Sequence, residues 1–223
     1  MLTGFFNITI VAELLTFLAA LLLLHQFTKP WSYFRIMLFL TLATELTGWY
    51  MTWKLGMRNN AWMYNLLLCV RGCFTLWMLS TSGYWKKGDL HKIRLACYML
   101  VGLTILSVTY NKGWHSYNIL IDILLGFTLA IFCCRLLYNI LNEGVYRSLL
   151  SNEHFWLANG VLIYSLGNAV LSVSMPELGQ YQMASGIRLW KHLNDTLNVF
   201  LHASYIIAFV CRYRNTRSLL LSS

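Results

Sequence analysis

Charged side chains are scarce in this sequence. They make up 11% of its 223 residues, against about 25% in a soluble globular domain, so an ordinary water-soluble domain is excluded. Proline occurs only at Pro30 and Pro176, and no Ser/Gly/Pro-rich linker, low-complexity tract or repeat separates one domain from another. The signatures of several common chemistries are also missing. No HExxH or HxxxH pair occurs among His25, His91, His115, His154, His192 and His202, which removes the usual helical zinc sites. There is no GxSxG elbow for an acyl-enzyme and no GxxxxGK[ST] loop for a nucleotide. A retinal protein needs a lysine in the middle of its last helix, and the only lysine there, Lys191, falls in the first turn. The N-terminus has neither a basic n-region nor a small-residue cleavage site after its first apolar run, so that run is expected to be a retained helix. Asn7-Ile8-Thr9 matches a glycosylation sequon, but it sits at the start of the same run and is taken as coincidence.

What remains is mostly apolar. Hydrophobic residues make up 58% of the chain, and mean hydropathy is +0.56. Seven apolar segments, at about 5–27, 33–55, 61–82, 93–109, 116–137, 155–175 and 188–211, have the length of membrane spans. The expected fold is an all-α polytopic membrane protein, a single seven-helix transmembrane bundle over residues 1–223. Cytoplasmic loops are enriched in Lys and Arg. The connections after the first, third and fifth spans and the C-terminal tail together hold eleven basic residues, against five on the other side. The N-terminus is therefore expected outside and the C-terminus in the cytoplasm.

The net charge of +9 could suggest nucleic acid. The basic residues are scattered through short loops with no aromatic-interleaved patch, so no nucleic-acid partner is expected and the bilayer is the natural one. The densest basic stretch, 86–94, is expected to be a headgroup-contacting loop. Trp31, Trp53, Trp62, Trp85, Trp114, Trp156 and Trp190 lie near span ends and are expected to be interfacial anchors. All six cysteines fall inside spans, where a thiol behaves as a small apolar group, so neither a disulfide nor a structural metal is expected.

The functional signal lies in the ionisable residues within the spans. Four of the eight acidic residues, Glu13, Glu45, Asp122 and Asp195, are intramembrane, and so is one cation, Arg71. Each is costly to bury unless paired, hydrated or neutralised. With a rise of ~1.5 Å per residue, Glu13 lies roughly 12 Å from the outer end of its span, Glu45 and Arg71 roughly 15 Å, Asp122 roughly 9 Å and Asp195 roughly 10 Å. Asn168, Asn194 and Asn198 fall at about 9 to 15 Å on the same scale. Polar groups from six spans therefore converge on one layer in the outer half of the bundle. Equal depth makes Glu45 the expected partner of Arg71, because an Arg–carboxylate pair can be bidentate. The other carboxylates are candidates for proton carriage or for a static hydrogen-bonded cluster with the Asn side chains. In the last span Asn194, Asn198 and His202 follow i, i+4, i+8 and form one stripe, with Asp195 and Tyr205 beside it. His202 lies below the acidic layer, where it either extends a proton path or is a satisfied core residue.

The block Phe155-Trp156-Leu157-Ala158-Asn159-Gly160-Val161-Leu162-Ile163-Tyr164-Ser165-Leu166-Gly167-Asn168 resembles one in a group of small seven-helix membrane proteins of Bacteroidetes-type bacteria. Asn198, the Tyr205-Ile206-Ile207 run and the short basic tail are similar too. The resemblance implies a bacterial inner-membrane location and a seven-helix bundle, and it implies no mechanism.

Three functions stay open on these grounds. The first is a non-enzymatic protein whose acidic, outward-facing cavity binds or conducts a small polar or cationic species, as a sensor or a proton-linked transporter. Its site would comprise Glu13, Glu45, Arg71, Asp122, Asn168, Asn194, Asp195, Asn198 and His202, with no cofactor. The second is a membrane-embedded enzyme using His192, Asp195 and neighbouring acids, with or without a metal. The third is an oligomerising structural or pore-forming subunit.

Overall fold

The computed structural model describes residues 8–24, 29–56, 59–110, 116–142 and 148–222. These form eight α-helices and one turn of 3-10 helix, with no strand among the described residues. The helices are α1 (Ile8–Leu23), α2 (Trp31–Trp53), α3 (Ala61–Ser80), α4 (Lys87–Tyr110), α5 (Ile119–Leu141), α6 (Glu153–Val173), α7 (Met175–Ser185) and α8 (Leu189–Ser222). The 3-10 turn is Leu149–Ser151. Four helices, α3 to α6, are long and apolar enough to cross a membrane, and α1 is apolar but shorter. Hydroxyls within the helices bond to their own backbone: Thr41, Thr44, Thr47 and Thr52 of α2 each donate to the carbonyl four residues back. A hydroxyl satisfied within its own helix is tolerated in apolar surroundings.

The helix boundaries follow local chemistry. Asn152 caps α6, its Oδ1 accepting from the amides of His154 at 2.9 Å and Phe155 at 3.3 Å, and Asn118 caps α5 in the same way. Three departures from the sequence expectation come from residues that start, stop or hold a helix where a loop or an end was expected. The basic stretch 86–94 is not a loop, because α4 begins at Lys87. Asp89 sits in its first turn, favourable for the helix dipole, and pairs with Lys92 at 3.5 Å and Arg135 of α5 at 3.9 Å. The connection after the sixth segment contains α7, which has Pro176 in its first turn and ends at Gly186, a left-handed cap with φ of 72°. Finally, α8 runs past residue 211 to Ser222. Arg212 donates to Glu153 Oε1 at 2.9 Å, and Asn215 Nδ2 donates to Ser151 O and Glu153 Oε2, each at 2.9 Å, which holds the extension against the start of α6.

Six helices form a closed ring in the order α1, α2, α3, α5, α6, α8 and back to α1, and α4 packs outside it against α3 and α5. Much of α4 is uncovered, including Leu95, Tyr98, Met99, Leu103, Ile105 and Leu106. Where α2 begins, an aromatic cluster plugs the ring: Phe34 meets Phe74, Tyr205 and Phe209 with ring centroids 5.1–5.2 Å apart. Trp31 belongs to this plug and is only 2% exposed. It packs on Phe34, His154 and Phe209 beneath the Arg212 guanidinium, so it is a core residue and not an interfacial anchor. Trp114 lies outside the described residues.

Candidate functional site

Opposite the aromatic plug the ring opens into a cavity of about 530 Å³. Every ring helix contributes to its wall and α4 contributes nothing. The wall reaches the start of α1 at Thr9, the end of α6 at Ser172 and the first turn of α8 at Trp190 and Lys191. Tyr205 belongs both to the lining and to the aromatic plug, so it marks the floor.

Of the nine residues singled out in the sequence, eight line this cavity: Glu13, Glu45, Arg71, Asp122, Asn168, Asn194, Asp195 and Asn198. Asp122 Oδ2 accepts from Asn168 Nδ2 at 2.8 Å and from Ser172 Oγ at 3.0 Å, tying α5 to α6. Asp195 Oδ1 accepts from Thr9 Oγ1 at 2.9 Å, tying α8 to α1. Asn198 donates to the Asn194 carbonyl at 2.9 Å within α8. Thr9 therefore spends its hydroxyl on a helix contact, while Asn7 of the sequon lies outside the described residues.

His202 lies behind the wall. It is 4% exposed, its Nδ1 is 3.2 Å from Thr16 Oγ1, and its ring meets Tyr205 edge-on at 5.9 Å. The i, i+4, i+8 stripe thus divides, because His202 turns toward α1 while the residues above it face the cavity. His192 is exposed, and no group of three potential metal ligands gathers among the described residues.

The expected Glu45–Arg71 pair is not formed. Among the described residues no carboxylate reaches ion-pair distance of Arg71. Glu45 Oε2 instead accepts from Tyr64 Oη at 3.2 Å, and the Arg71 guanidinium lies over the ring of Tyr164, 4.4 Å from its centroid. Equal depth had suggested the pair, but depth does not fix the direction in which each helix turns its side chain. Two buried polar atoms on the wall, Glu13 Oε2 and Ser165 Oγ, have no hydrogen-bond partner among the described residues, and each residue is 3% exposed. Buried groups of this kind are normally satisfied by protein, water or a ligand.

Sequence reasoning missed two tyrosines. Tyr64 and Tyr117 line the cavity, yet tyrosine is so common near membrane interfaces that neither raised a signal. A signal existed, since Tyr64, Leu68, Arg71 and Thr75 follow helical spacing and share one face of α3. Asn65 was missed as well. Its Nδ2 donates to Ser116 O at 2.9 Å and its Oδ1 accepts from Asn118 N at 3.0 Å, which fixes the chain entering α5 beside the cavity mouth.

Comparison of the chain with protein-family models, curated proteins and solved structures finds no match.

Proposed function

We propose that this protein crosses the membrane seven times, through α1 to α6 and α8, with its N-terminus outside and its C-terminus in the cytoplasm. In that orientation the cavity faces outward and binds or conducts a small polar or cationic species, as a sensor or a proton-linked transporter. The resemblance noted above supports a bacterial inner membrane as the location. One observation carries the functional reading: a cavity large enough for a metabolite-sized solute has four carboxylates on its wall, against Arg71 at depth and Lys191 at the mouth. An excess of acid lowers the electrostatic energy of a cation entering such a concave, partly desolvated space. The aromatic plug at the other end favours a site filled from one side.

The reading is tested with purified protein in proteoliposomes, following binding and uptake of methylamine, ethanolamine and putrescine over a pH series. Glu45→Gln and Asp195→Asn should shift the pH profile of binding or uptake while leaving the far-UV circular dichroism unchanged. If both variants match the wild type at every pH, the carboxylates serve packing alone and the reading fails.

A further inference from the structure

A simple cation site would leave Arg71 unexplained. The lining contains a guanidinium held by the Tyr164 ring, with no carboxylate at ion-pair distance among the described residues. Half-buried at the cavity wall, the guanidinium borders the space that the lining encloses. Guanidinium presents a planar fork of N–H groups that matches a carboxylate, and desolvation strengthens such a pair. On the α1 wall of the same cavity is a group of complementary charge. Glu13 is 3% exposed, and its Oε2 has lone pairs that no group among the described residues satisfies. An acceptor in that state suits an ammonium, which brings three donors and a charge. Ser165 Oγ, also buried on the wall and without a partner among the described residues, can serve either end of a solute.

We infer that the ligand is a small zwitterion carrying one ammonium and one carboxylate, of free amino-acid size, with the ammonium on Glu13 and the carboxylate on Arg71. The inference rests on the cavity being a binding site, and it narrows the solute class. Either charge alone leaves one buried group unanswered. A simple amine leaves Arg71 to face an empty or hydrated space, and a simple acid does the same to Glu13. The zwitterion satisfies both and adds no net charge to the site. Each of the other acids accepts at least one hydrogen bond, Glu45 from Tyr64, Asp122 from Asn168 and Ser172, and Asp195 from Thr9, whereas Glu13 carries a buried oxygen that no group among the described residues satisfies.

The test uses the full chain in phosphatidylglycerol nanodiscs, so that no lipid ammonium competes, with binding followed by isothermal titration. Probes come as matched triads: alanine with ethylamine and propionate, leucine with isoamylamine and isocaproate, and phenylalanine with phenethylamine and hydrocinnamate. In at least one triad the amino acid should bind about tenfold or more tighter than both of its fragments. Arg71→Gln should erase the advantage over the amine, and Glu13→Gln the advantage over the acid. Should either variant fail to fold, the wild-type comparison within each triad still decides. If in every triad the amine binds as tightly as its amino acid, the zwitterion is overturned and a cation site is left standing. If in every triad the acid does so, it is overturned too. Absence of binding by every triad member and by putrescine overturns both the zwitterion and the binding function.

Discussion

Arg71 and Tyr164 face each other across the cavity wall, the guanidinium 4.4 Å from the centre of the phenol ring. A bundle that only had to neutralise a buried cation would set a carboxylate against it. Here an aromatic face takes that place, and it stabilises the charge without neutralising it. A cation over an aromatic ring contributes about 0.5–2 kcal/mol, depending on desolvation. Tyr164→Leu is therefore expected to lower stability by about 1 kcal/mol, and Tyr164→Phe, which keeps the ring, by clearly less. Reversible unfolding in mixed micelles, monitored by circular dichroism, compares the two. Equal losses for Leu and Phe would mean that the hydroxyl, not the ring face, holds Arg71.

The link between α5 and α6 can be measured as a coupling. Asp122 accepts from Asn168 and Ser172 together. Hydrogen bonds between membrane helices average about 0.6 kcal/mol and reach about 1.7 kcal/mol. A double-mutant cycle of Asp122→Ala and Asn168→Ala should give a coupling toward the upper end of that range, because the acceptor is a carboxylate. Additive effects would show that the two side chains do not interact in the folded bundle.

Close helix approach makes a third prediction. A Cβ on Gly126 would lie 2.9 Å from the carbonyl oxygen of Ser165, and one on Gly160 would lie 2.5 Å from Cβ of Ser204. Neither contact is the movable tip of a long side chain, so α5 and α8 would have to shift away from α6. Gly126→Ala and Gly160→Ala should each cost about 1–3 kcal/mol. Among the described residues, no atom outside the helix's own backbone lies within 4 Å of the corresponding position on Gly102 of α4. Gly102→Ala should be neutral or stabilise by up to about 1 kcal/mol, through helix propensity alone. Unfolding of the three variants side by side checks the order, and a neutral Gly160→Ala would contradict the packing of α6 on α8.

How far the sequence anticipated the site depends on which property each inference used. Carboxylates are so rare in apolar segments that Glu13, Glu45, Asp122 and Asp195 announced themselves, and the regular rise of a helix was enough to place them in one layer. The same logic left α4 out, since residues 95–110 contain no ionisable group except Cys97, Tyr98 and Tyr110, and α4 indeed lies outside the ring. Rotation about each helix axis was not legible. Glu45 turned to Tyr64 instead of Arg71, and His202 turned to Thr16 instead of the cavity. Tertiary contacts also extended α8, because Arg212 and Asn215 find Glu153, a partner far away in sequence. The all-helical class was clear from hydropathy, whereas α7, with its mixed composition and single proline, carried no periodic signal strong enough to predict.

The central claim is that the cavity is water-filled and opens on the outer face. Labelling with a membrane-impermeant maleimide tests it most directly, in a variant whose native cysteines are replaced. Leu67→Cys and Asn194→Cys sit on the cavity wall, whereas Leu66→Cys, next along α3, points away from the bundle at 60% exposure. In right-side-out vesicles the two wall positions should label and Leu66→Cys should not, because a thiol in lipid meets neither water nor reagent. Labelling of the wall positions only from the cytoplasmic side, or of none of the three from either side, would contradict an outward-facing cavity.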